Sequence, residues 1–167
     1  MPKLILVLLL LVGLSNLSFA QNSVKDKARL VPANRAAIEA DIFSLINIER
    51  RNRGRTNLRW SAKLYETAAK HSKEMVFNKI FSHRSFDGRK LRDRLNDVGY
   101  PKTNGAAENI FLIRNRRDVA ATAVSMWLRS AGHRGNILDR RFSESAVGIA
   151  FGPDGSIYIT QVFGGSY

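Results

Sequence analysis

The chain has 167 residues, with 27 lysines and arginines against 14 aspartates and glutamates, a formal net charge of +13, and no cysteine. That length allows one domain with a core of its own, and 44% hydrophobic with 25% charged residues is a globular composition. The absence of thiols excludes a disulfide framework, thiolate zinc sites, iron–sulfur clusters, a cysteine nucleophile and lipid attachment through an N-terminal cysteine.

In chain order, the first feature is a targeting segment. Lys3, the apolar run from Leu4 to Leu14 broken only by Gly13, and the small residues Ser18 and Ala20 form the three parts of a secretory signal. The alternative is an uncleaved anchor, but the run falls well short of the ~20 residues that span a bilayer as a helix. The expected mature chain therefore begins at Gln21, is exported to the periplasm or beyond, and has no transmembrane segment after cleavage. Residues 21–35 read as a polar leader without a clear period, and 36–167 as the domain.

From Ala36 to Arg53, isoleucines and leucines recur at near-helical spacing up to Gly54. Ser61 is placed to cap a second helix with the stripe Leu64, Ala68, His71 and Met75. Leu91, Leu95 and Val98 predict a short third helix closed by Gly99. A β-leaning stretch spans 109–113, and a fourth helix fits Asp118 to Ser130. Ala146 to Phe151 and Ile157 to Phe163 flank Gly152-Pro153-Asp154-Gly155, which predicts a hairpin. Both hairpin strands carry apolar residues on both faces, so the sheet should be covered on each side. The architecture expected is α+β, with helices on both faces of a small, mostly antiparallel sheet.

The three histidines separate by position. His71 lies on the apolar stripe of a helix and reads as a core histidine with its nitrogens satisfied locally. His83 follows the second helix and precedes the turn signal Asp87-Gly88, and His133 lies just past the fourth helix. With Glu108, these two residues are expected on irregular chain or element ends. If they converge, they make a His₂Glu set suited to zinc with one position open to water. Spacing by itself does not show that they meet.

The segments Phe81-Ser82-His83, Ala107-Glu108-Asn109-Ile110, Trp127 through Leu138, Val147-Gly148 and Gln161 through Gly164 occur in an order that resembles the CAP superfamily. That superfamily comprises cysteine-rich secretory proteins, antigen 5 and pathogenesis-related proteins, and this chain resembles its bacterial, SCP-like form. The resemblance implies a three-layer α-β-α sandwich with a surface cleft holding two histidines and two glutamates, able in some members to bind a divalent metal such as zinc. His83, Glu108 and His133 match three of those positions, while Ser130 stands where the resemblance implies the second glutamate. Loss of a carboxylate there can cost 10–100-fold in metal affinity.

Enzyme readings find little support. No Gly-x-Ser-x-Gly elbow occurs. Glu108 has no sequence-defined carboxylate partner for glycoside hydrolysis, with Asp87 and Glu144 left open as candidates. Arginines cluster at Arg50 to Arg59, Arg89 to Arg94, Arg114 to Arg117 and Arg134 to Arg141, either as solvated surface or as a functional patch. The expectation is a monomeric binding protein for lipid, envelope glycan, another anionic surface polymer or a protein. Nucleic acid is disfavoured, no cofactor is required, and the alternative is a metal-assisted hydrolase.

Overall fold

The computed structural model describes residues 35–102, 105–114 and 117–165. The signal segment, its cleavage point before Gln21 and all of the leader except Arg35 lie outside the described residues.

Helix α1, Arg35–Asn52, buries Ile38, Ile42 and Ile46 at four-residue intervals. The next step of that stripe is Arg50, fully buried. Its Nε donates to the Thr56 carbonyl at 2.8 Å, Nη1 to those of Ile137 and Asp139 at 2.6 and 3.0 Å, and Nη2 to that of Phe142 at 3.2 Å. Those bonds tie the end of α1 to the segment leading into the third strand. Arg50 is thus an internal strut, not part of a basic surface. Gly54, at φ 64, turns the chain away.

A two-residue strand, β1 (Arg59–Trp60), follows and is too short to announce itself by periodicity. Helix α2, Ala62–Asn78, buries Leu64, Ala68, His71 and Met75 as the stripe predicts, although Ser61 makes no side-chain capping bond. Helix α3 is Leu91–Asp97. The β-leaning stretch is the middle of a longer strand, β2 (Ala106–Arg114). Helix α4 spans Val119–Arg129, and a further helix, α5 (Ala131–Leu138), follows directly from Ser130. Sequence patterning misses α5 because Gly132 and Gly135 weaken helix propensity and read as a stop. The predicted hairpin is β3 (Glu144–Phe151) and β4 (Ser156–Gly164).

The sheet order is β1-β3-β4-β2, antiparallel except where β1 meets β3, so β2 is an edge strand. Strand alternation divides two cores. Val147, Ile149, Ile159 and Phe163 pack with Ile42, Ile46 and Trp127 of α1 and α4, whereas Ala146 and Val162 pack with Leu64 and Ala68 of α2. Gly148 allows α2 to sit close: a Cβ there would come within 2.3 Å of the Ala69 amide nitrogen. The result is the α+β sandwich, helices on both faces of a mostly antiparallel sheet.

Candidate functional site

The cleft residues gather around the edge strand β2, and its pleat decides which side each one faces. Successive strand residues point to opposite faces. Glu108 shares its side with Ile110, which packs against Met75 of α2; Asn109 points to the α4–α5 side. Glu108 is the third residue of β2, which begins earlier than the stretch 109–113 suggested. His133 lies past the end of α4, as expected, and is the third residue of a further helix, α5. His83 alone lies on connecting chain, between α2 and α3, as its turn context predicted.

On the α2 side, polar groups form a continuous network. The Glu108 side chain is only 4% exposed. Its Oε1 accepts from His83 Nδ1 at 2.9 Å, and its Oε2 accepts from Arg94 Nη2 at 2.9 Å. The same Arg94 nitrogen donates to the His83 carbonyl at 3.0 Å, so one guanidinium holds both the carboxylate and the backbone of its histidine partner. Arg94 is buried, and its Nε and Nη1 find no hydrogen-bond partner among the described residues. His71, fully buried beneath them, donates from Nε2 to the Ser82 carbonyl at 2.9 Å and places Nδ1 3.2 Å from Glu74 Oε2. Burial alone would push the Glu74 carboxyl up; the Phe86 amide, His71 and Ser85 outweigh it and hold that carboxyl below its ordinary range. His71 is a core histidine with both nitrogens engaged, and it fixes the residue that precedes His83.

The opposite side is held through backbone. Asn109 Nδ2 donates to the His133 carbonyl at 3.3 Å, and Asn136 Nδ2 donates to Asn109 Oδ1 at 2.9 Å and to the Glu108 carbonyl at 3.4 Å. Together the two asparagines clamp α5 along β2. Burial and the nearby charge of His83 hold the His133 imidazole below the ordinary histidine value of 6.5. Ser130 joins α4 to α5, its amide donating to the Met126 and Trp127 carbonyls at 3.3 and 3.2 Å, and its side chain caps neither helix.

The carboxylates left open as partners for Glu108 are engaged elsewhere. Asp87 pairs with Arg89, and Glu144 accepts from the Tyr100 hydroxyl at 2.8 Å and pairs with Arg59 at 3.2 Å. Ser82 Oγ accepts from the Arg84 amide at 2.9 Å, not from His83. Sequence patterning grouped Arg94 with an arginine cluster, read either as solvated surface or as a functional patch, and missed its burial. The available signal was its position: Leu91, Arg94, Leu95 and Val98 form one helical stripe.

The sequence model of the cysteine-rich secretory protein (CAP) family matches residues 43–163. The chain belongs to that family. It is 37% identical over 111 residues, 66% of its length, to the Bacillus subtilis (strain 168) protein YlbC, described as an uncharacterized membrane protein, and covers 31% of it. To YkwD of the same organism it is 30% identical over 134 residues, 80% of this chain and 49% of that protein. It thus spans less than half the length of these curated relatives. A crystal structure of an extracellular SCP-domain protein from Bacillus anthracis superposes with TM-score 0.67 at 33% identity, covering 79% of this chain and 41% of that one. No helix of the described residues is long and apolar enough to cross a membrane.

A divalent metal, implied by the family cleft, fits these residues only in part. Both Glu108 oxygens are committed, and among the described residues no group of three or more His, Asp or Glu side chains is spaced to hold one ion. What is available is two imidazoles. Glu108 behind His83 Nδ1 directs the Nε2 lone pair outward, as outer-shell carboxylates do for ligating histidines.

Proposed function

We propose that this chain is an exported CAP-domain binding protein, acting at the cell envelope or outside the cell, with residues 36–167 as the binding domain. Its ligand, a lipid, glycan or protein, is held beside His83, Glu108, Ser130 and His133. The observation that carries this reading is the commitment of Glu108 to Arg94 and His83. A carboxylate fixed by a buried guanidinium is a poor general acid or nucleophile, whereas the exposed His83 ring, the His133 imidazole and the Ser130 hydroxyl remain as recognition groups. Retention of labelled envelope lipid and glycan fractions by wild type and His133→Ala tests it. Tenfold weaker retention by the variant is expected, and equal retention refutes the cleft as the binding site. N-terminal sequencing of exported material should return Gln21.

The outward-directed His83 Nε2 favours a second reading, a metal-assisted hydrolase. His83 and His133 would hold the ion, which supplies a water ionising near neutral pH. Calorimetric titration with zinc should then show modest affinity, weakening as pH falls through about 6.5, because ligating imidazoles must be neutral. Ser130→Glu should bind more tightly than wild type. If His83→Ala binds zinc as well as wild type, no metal role belongs to this cleft.

A further inference from the structure

The end of α2 and the loop carrying His83 expose three phenylalanines. Phe77 is 85% exposed, Phe81 50% and Phe86 70%. Large apolar side chains grouped on one lobe mark an interaction surface more often than a chance scatter does. Their backbones are fixed while the rings are left out. The Phe86 amide donates to Glu74 Oε1 at 2.9 Å, Phe81 precedes the Ser82 carbonyl held by His71, and Phe77 sits in the last full turn of α2.

The same lobe is cationic. Lys73, Lys79, Arg84 and Lys90 are exposed and make no ion pair among the described residues. The acids on this stretch are already engaged, Glu74 with His71 and the Phe86 amide, Asp87 with Arg89. Aromatic rings set among three lysines and an arginine without ion pairs match the boundary of an anionic bilayer, where apolar groups enter the acyl region and cations meet the headgroups. A second copy of this chain would bring an identical cationic rim against the first, which opposes self-docking.

We propose that the Phe77–Phe81–Phe86 tip docks this protein on anionic lipid surfaces. Docking by this tip sets His83, two residues beyond Phe81, at the level of the headgroups. The inference goes beyond the cleft reading and stands apart from it.

Flotation with vesicles of phosphatidylglycerol and phosphatidylcholine tests it. Wild type should bind the mixed vesicles at least tenfold better than pure phosphatidylcholine, and less well as salt rises, because screening weakens the headgroup attraction. The double variant Phe77→Ser/Phe86→Ser should lose at least tenfold of that binding with unchanged near-ultraviolet circular dichroism, since both rings are exposed. A Phe86→Trp probe should be quenched by brominated lipids beyond the two native tryptophans. This last readout follows the tip alone, so it succeeds or fails independently of any cleft ligand. An unquenched probe, flotation of the double variant equal to wild type, or concentration-dependent dimers without vesicle binding would each overturn the proposal.

Discussion

The two sides of strand β2 hold their histidines by opposite means. On the Glu108 side, a guanidinium and two imidazoles gather on one buried carboxylate, and even the His83 backbone is held by Arg94. On the Asn109 side, two neutral amides join β2 to α5, Asn109 reaching the His133 carbonyl and Asn136 of α5 reaching back to Asn109 and the Glu108 carbonyl, and the His133 and Ser130 side chains are left without hydrogen bonds among the described residues. One half of the cleft is preorganised and costly to alter; the other is a scaffold whose side chains can change with little penalty. Ligand variation should therefore fall on the Ser130–His133 half.

The largest effect should come from Arg94→Met. It leaves the Glu108 carboxylate buried without its guanidinium, and removing one partner of a buried pair typically costs about 3–5 kcal/mol. Denaturant unfolding should show that loss, while Asn136→Ala should cost only about 1–2 kcal/mol for its neutral bonds. Equal costs for the two would erase the contrast between the halves. Arg94→Met/Glu108→Leu should recover much of the lost stability, because no orphaned charge remains.

His71→Ala should follow, at roughly 2–4 kcal/mol, since it opens a cavity and strands the Ser82 carbonyl. Hydrogen exchange at Ser82 and His83 should accelerate in that variant, with the α5 amides unchanged. Faster exchange spreading to α5 would show that the two halves are not separate units.

The smallest effect belongs to His133. Its folded value lies below the unfolded one, so between the two the unfolded chain binds more protons, and stability rises with pH through that window. Acidification below about 6.5 should cost stability, and His133→Gln should remove that slope. Nuclear magnetic resonance titration should place His133 below 6.5 in wild type and higher in Ser130→Glu, where a carboxylate would favour the imidazolium. A His133 titrating unchanged in Ser130→Glu would mean that position 130 does not face the imidazole.

Apolar patterning and one turn signal by themselves determined α1 to α4, the hairpin, the covering of the sheet on both faces and the burial of His71, because apolar spacing records which face of an element meets the core. The ordered motifs also placed the chain in its family. Hidden from the sequence were α5, whose glycines suppress the helical signal, and β1, too short to have a period. Only the tertiary structure decided that Arg50 and Arg94 are internal. Each occupies an apolar-stripe position, but a charge there is tolerated only when acceptors from distant segments surround it, the carbonyls of Ile137, Asp139 and Phe142 for Arg50 and Glu108 for Arg94. Tertiary structure likewise decided that adjacent Glu108 and Asn109 serve opposite faces of β2. A strand fixes that alternation, but which helix lies on which face is set by how the whole chain packs.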